Sequence, residues 1–273
     1  SMSGGTEKAQ TYFSYTYTDA EGVVPNNALR RHNVNLAVTN KIGSRLTLDA
    51  RVTYIRDDID NELAQGESFD NPIRHALRLP PNIRTEDADI FEFTNADGDN
   101  RQHYWNPGSN GGANPYWTIN RNTNERNSDR VIGVASLTYD LAEGLSLMAR
   151  STVDKINRQW ENRWWNDSYI IADDGRFTVT RAEELEWNGD LLLNYQKDIS
   201  EKFYINAFVG GNMRKERGSF LSGTTGIALT VPNFFALANS QDNQTSHNFG
   251  GPRDVNSVYG SASLTFLDAI TLD

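Results

Sequence analysis

Hydrophobic and polar residues alternate along much of this chain with a period of two. Leu46, Leu48, Ala50, Val52 and Tyr54 fall on one face of an extended segment, and Thr47, Asp49, Arg51 and Thr53 on the other. Strict alternation of this kind marks a strand lying between two different environments. The pattern recurs. Val34, Leu36 and Val38 oppose Asn33, Asn35 and Thr39; Leu137, Tyr139 and Leu141 oppose Ser136, Thr138 and Asp140. Leu191, Leu193 and Tyr195 oppose Asp190, Asn194 and Gln196, with Leu192 out of phase. Phe203, Ile205, Ala207 and Val209 form another set, broken by Phe208, and Ala262, Leu264 and Phe266 oppose Ser261, Ser263 and Thr265. These runs predict strands over 8–18, 30–40, 45–56, 131–141, 145–157, 185–197, 202–213 and 256–267, with a ninth beginning near Ile270. They are longer than the roughly 5–6 residues usual in soluble sheets. They match the ~9–11 that a tilted transmembrane strand needs.

The connections alternate in length. Short turns fall at Lys41–Ser44, Ala142–Gly144, Ser200–Glu201 and Asp268–Ala269. Between them lie long polar segments near 57–130, 158–184 and 214–255, and a shorter one at 19–29. An up-and-down outer-membrane barrel has this asymmetry, with short periplasmic turns and long extracellular loops. Tyr139, Tyr195, Phe203 and Phe266 then sit near the short turns, where an aromatic girdle belongs. The fold class expected is therefore all-β: an antiparallel up-and-down transmembrane β-barrel segment of about eight strands with the start of a ninth.

Composition narrows the field. The 273 residues include no cysteine, which excludes a disulfide scaffold, a thiolate metal site and a cysteine nucleophile. Mean hydropathy is −0.62, and no window has the ~18 apolar residues of a membrane helix. A barrel escapes that exclusion, because only every second residue meets lipid. The net charge of −10 argues against a nucleic-acid partner. The opening Ser1-Met2-Ser3-Gly4-Gly5 has no basic or apolar signal region, so the chain is expected to be mature, trimmed or cut from a longer one.

The polar face holds Asp49, Arg51, Arg150, Asp154, Glu186, Asn188 and Asp190. Charges need partners or water, so this side is expected to line a wet or plug-filled lumen and not a dry core. The segment 57–130 interleaves turn chemistry with aromatics: Trp105, Tyr116 and Trp117 either stack on a sugar or peptide or pack the loop's own core. Trp160, Trp164 and Trp165 fit an outer girdle and a ligand platform equally well. Asn95, Asp97 and Asp99 sketch a calcium loop. Its glycine is one place off the usual pattern and no closing glutamate follows, so an Asx-type turn is the better reading. The four histidines are scattered, and no serine elbow, phosphate loop or dinucleotide fingerprint is present. No cofactor or catalytic residue is expected.

Several short motifs, in order, resemble a known family. Ser3-Gly4-Gly5-Thr6-Glu7-Lys8 runs into Tyr12-Phe13-Ser14-Tyr15, followed by Glu21-Gly22-Val23-Val24-Pro25-Asn26 and Arg30-Arg31-His32-Asn33. Asn71-Pro72 with Ala76-Leu77, Asn114-Pro115-Tyr116-Trp117, Asp129-Arg130-Val131-Ile132-Gly133 and Gly210-Gly211-Asn212 come after. Together they resemble the middle of the barrel in SusC/RagA-type TonB-linked outer-membrane receptors of Bacteroidota. The resemblance implies a plug followed by a barrel of about 22 strands. It also implies uptake of oligosaccharides or peptides, energy from the TonB complex, and a SusD-like surface lipoprotein as partner. The chain departs from the pattern in having no plug and no TonB box, so the TonB complex is expected to act through the missing plug region, while the loops of this segment touch ligand, the lipoprotein or only each other. Two alternatives remain at this stage. One is a small self-contained porin or adhesin barrel. The other is a secreted carbohydrate-binding or hydrolytic β domain, which needs two apolar faces meeting in a dry core.

Overall fold

A computed structural model describes residues 1–273 except 105–112, 169–170, 243 and 268. The described residues form twelve strands and three short helices: β1 (Met2–Gly5), β2 (Ala9–Glu21), β3 (Ala28–Ile42), β4 (Leu46–Asp60), α1 (Pro72–Ala76), α2 (Thr85–Asp89), β5 (Glu92–Thr94), β6 (Asn100–Gln102), α3 (Pro115–Arg121), β7 (Thr123–Ala142), β8 (Leu145–Ser168), β9 (Ala172–Ser200), β10 (Phe203–Thr224), β11 (Gln244–Phe266) and β12 (Ile270–Leu272). Ten of them make one antiparallel sheet in the order β1-β2-β3-β4-β7-β8-β9-β10-β11-β12. Every neighbour in that sheet is a neighbour in sequence apart from the loop hairpin β5–β6. The expected all-β up-and-down architecture is what the chain forms. The sheet is open, with β1 and β12 at its edges.

Strand register turns the sequence alternation into two continuous surfaces. Leu36 pairs with Val52 and with Phe13, Val52 with Gly133, Gly133 with Val153, and Val153 with Trp187. Two rows nearer the short turns, Leu48, Leu137, Ala149 and Leu191 follow each other across four strands. These side chains are uncovered: Val52 is 46% exposed, Leu137 46% and Val209 52%. From Leu46 to Tyr54 the band covers eight rises, about 26 Å along the strand.

Aromatic residues mark both rims of this band. Tyr139, Tyr195, Phe203 and Phe266 lie on its short-turn side, and Phe203 and Phe266 face each other at 5.0 Å between ring centroids. On the long-loop side stand Tyr15, Tyr17, Tyr54 and Trp187.

The strands continue well past that rim. β8 and β9 run for 24 and 29 residues, so the expected loop at 158–184 is almost wholly a hairpin. β10 extends to Thr224 and β11 starts at Gln244, which shortens the expected loop at 214–255 to 225–243. Likewise 57–130 contracts to 61–122. Past the rim both faces of each strand meet polar surroundings, so alternation disappears from the sequence although the ladder goes on. Cross-strand pairs hold it there: Arg158 with Glu184 at 2.6 Å, Thr180 with Ser222 at 2.8 Å, Arg163 with Glu125 at 2.5 Å.

Among the described residues, a dry core exists only at this end, where the loops meet the tips of the strands. The buried hydrophobic residues are Ala88, Ala113, Trp117, Ala172, Phe177, Ala228 and Leu229, none of them in the apolar band. The two apolar faces required by a secreted β-sandwich are therefore missing from the described sheet.

Candidate functional site

The polar face is an ordered hydrogen-bonded surface. One row across the sheet reads Thr39, Asp49, Ser136, Arg150, Asp190, Asn212. Thr39 donates to Asp49 at 2.7 Å. Arg150 and Asn212 both donate to Asp190, at 3.0 and 2.8 Å. Arg51 and Asn188 lie in the next row, with Val134 and Thr152 between them. The row after it brings Asp154, Glu186 and Glu216 side by side on three strands. Three adjacent carboxylates repel unless cations intervene. Arg130 clamps Asp154 with two hydrogen bonds, and Arg214 bridges Glu186 and Glu216 at 2.7 and 2.5 Å. All seven polar residues read from the sequence share this face, and Arg130, Arg214 and Glu216 complete their network. Those three escaped the sequence reading because their strands lack strict alternation at that height.

Above the polar face, toward the long loops, segment 61–122 folds over β7 and β8. Two Asn-Pro steps in its described part open short helices. Asn71 caps α1 by accepting from the Ile73 amide at 3.0 Å, and Asn114 caps α3 by accepting from the Tyr116 amide at 2.8 Å, each with proline at the first helical position. Asn114 is fully buried and also donates to the carbonyls of Ala88 and His103. Trp117 is 0% exposed and donates from Nε1 to Ser168 Oγ at 3.1 Å. Of the two readings open for it, packing within the loop core is the one realised. Tyr116 begins the same helix, partly exposed. Trp105 lies outside the described residues.

The three tryptophans of β8 part company. Trp160 and Trp164 stand on the same side of the pleat as Arg150 and Asp154, so neither joins the aromatic rim of the apolar band. Arg126 lies over Trp160 at 5.2 Å from the ring centroid. Trp165 alternates to the other side, where Arg121 stacks on it at 4.3 Å and Phe235 approaches at 6.4 Å.

Trp160 and Trp164 line a cavity of about 220 Å³ together with Glu62, Leu63, Ala64, Asp70, Asn122, Thr123, Asn124, Glu125 and Asn162. Trp164 Nε1 donates to Asp70 Oδ1 at 2.8 Å, and Asn122 reaches the same oxygen at 3.5 Å. Burial pushes the Asp70 carboxyl above its ordinary range, against the lowering effect of these two donors and of the Arg176 charge. The pattern gave no sign of Asp70, because its partner is 94 residues away.

Asn95, Asp97 and Asp99 form a tight turn between β5 and β6. Asn95 Oδ1 accepts from the amides of Asp97 and Asp99, and Asp99 pairs with Arg101. That is the Asx-type turn preferred above. No cluster of three or more potential metal ligands occurs among the described residues.

No protein-family model and no curated protein matches this chain. Solved structures do. The RagAB peptide transporter superposes with a TM-score of 0.76 at 16% identity over 97% of this chain. The RagAB peptide importer in its open-open state gives 0.74 at the same identity and coverage. The chain shares its fold with part of the RagAB chain. The ferric preacinetobactin receptor BauA of Acinetobacter baumannii also matches, at TM-score 0.53 and 10% identity over 96% of the chain. The chain spans 29% of the length of the RagAB chain and 35% of BauA. The resemblance read from short motifs and the three-dimensional likeness thus point to the same barrel.

Proposed function

We propose that this chain is a stretch of the wall of a TonB-dependent outer-membrane transporter that imports peptides or oligosaccharides with a SusD-like surface lipoprotein. The observation that carries this reading is the register. It stacks an uncovered apolar band on one face and a salt-bridged polar surface on the other, over the same strands. Water-exposed apolar area on this scale is costly, and a bilayer removes the cost. Unpaired strand edges are not viable in lipid, so β1 and β12 pair with further strands in the working protein. The polar face then lines the lumen around a plug, the short turns are periplasmic, and the long β8–β9 hairpin and loop cluster stand at the extracellular mouth. Likeness to an importer of peptides supports passage and gated binding as the activity, with no bond made or broken.

Because the chain has no cysteine, single cysteines report their surroundings cleanly. In the whole transporter in proteoliposomes, L137C and L191C are expected to react with a lipid-soluble maleimide and to resist a water-soluble one. S136C and N188C are expected to react with the water-soluble reagent. Equal water-soluble labelling of both sets overturns the reading. Loss of peptide and oligosaccharide uptake on deleting the gene tests the transport step separately.

A further inference from the structure

The cavity lined by Trp160 and Trp164 contains a carboxylate with no ion pair among the described residues, Arg176 acting on it only from beyond ion-pair distance. Of its three acidic lining residues, Glu62 is paired with Arg126 and Glu125 with Arg163, each at 2.5 Å. Asp70 has no Lys, Arg or His nitrogen within ion-pair distance among the described residues. Both of its side-chain hydrogen bonds go to Oδ1, leaving Oδ2 without a donor. Lysine and arginine are absent from the lining itself. Trp164 turns its N–H edge to this carboxylate, and Arg176 over Trp164 and Arg126 over Trp160 lie outside the lining, so a further cation entering the cavity meets the carboxylate together with the ring surface those arginines leave free.

We infer that Asp70, Trp160 and Trp164 form a subsite for a positively charged ammonium or guanidinium group, such as a basic side chain of an imported peptide. The inference rests on the transporter reading and names the chemistry of one part of its ligand. The position agrees with that role. Both tryptophans stand on the polar side of β8, above the lumen-facing network, where an incoming ligand arrives first. Asn122 and Asn124 brace the lining through bonds to Asp70, Ser168 and Glu62, and Asn162 adds a neutral amide to the same wall. Asp70 is held ready by its neighbours: its amide donates to Ser68 Oγ at 3.3 Å, and Asn71, next in sequence, caps α1.

The test uses the whole detergent-solubilised protein and two tripeptides, Ala-Lys-Ala and its uncharged counterpart Ala-norleucine-Ala, titrated by calorimetry. The lysine peptide is expected to bind about tenfold tighter or more, a size consistent with a desolvated cation–π contact plus one carboxylate. D70N is expected to abolish the difference, and W160A to reduce it. Equal affinity of the two peptides for the wild type overturns the inference, and that arm needs no variant to fold. Persistent discrimination in a folded D70N protein also overturns it. Uptake that proceeds without any preference for lysine leaves the transporter reading standing and removes only the subsite.

Discussion

Leu191 leaves 54% of its surface uncovered, while the side chain of its neighbour Asp190 leaves 9%. One peptide bond separates an exposed aliphatic residue from a nearly covered carboxylate, the inverse of a soluble protein's order. The inversion predicts opposite mutational costs at adjacent positions. L191R should destabilise the sheet by about 2–3 kcal/mol in a bilayer, as charges on the lipid face of barrels do. L192R, on the polar side of the same strand, should cost distinctly less. Folding of the whole barrel into lipid vesicles, titrated with guanidinium, measures both; equal costs would contradict the assignment of faces.

Asp190 holds Arg150 and Asn212 together across three strands. Removing it in D190A takes the acceptor from Arg150, Asn212 and Tyr259, of which Asn212 also reaches the Gly189 carbonyl at 3.4 Å. Arg150 is nearly half exposed, so water replaces part of the loss. A coupling energy of about 0.5–1 kcal/mol is expected from the cycle R150A, D190A and R150A/D190A. Coupling indistinguishable from zero would mean that the row is solvated and contributes nothing to strand register.

The sequence and the structure agree where one strand faces two media. Over Leu46–Tyr54 every second residue is apolar, and the band seen in the sheet follows directly. Past the rim, Arg158, Glu161, Arg163 and Asn166 sit in a strand that no alternation announces, because both of its faces meet polar groups. The loop cluster was illegible for a different reason. Trp117 meets Ser168 and Trp164 meets Asp70 across separations of 51 and 94 residues, and no local period encodes such contacts. Only the Asn-Pro steps at 71 and 114 were visible. They stand in the sequence among the motifs of the resemblance, and in the structure each is the cap and first residue of a short helix.

Asp70 gives the loop cluster a pH dependence of defined sign. Burial raises its carboxyl above the ordinary value of 3.8 in the folded loop. A raised folded-state value means that the folded state binds the proton more tightly. The resulting stabilisation is complete below the unfolded value and is lost as pH rises through the folded one. D70N removes the ionisation and keeps an oxygen for Trp164 Nε1. Relative to wild type, the variant's loop cluster should gain stability as pH rises from 3 to 7. Amide hydrogen exchange in 61–75 and 160–166, compared between the two proteins across that range, reads the difference. A constant difference at all pH values would show that Asp70 does not titrate there.

Trp117 separates the stability of the loops from that of the sheet. Its indole is fully buried in the only described core, and its Nε1 is satisfied by Ser168, which passes a hydrogen bond on to Asn122 at 2.6 Å. W117A removes the largest buried side chain of the cluster and leaves Ser168 without that donor. Truncating a buried tryptophan costs about 3–5 kcal/mol, more than a small loop core of a few aromatic and alanine side chains supplies. The loops should therefore open while the band from Leu46 to Tyr54, held by strand pairing, stays folded. Limited proteolysis is expected to cut W117A within 61–122, with the heat-modifiable barrel band on a gel unchanged. W117F, which keeps most of the volume and loses the Ser168 hydrogen bond, should fall between the two. Loss of the barrel band in W117A would mean that the loop core and the sheet fold as one unit.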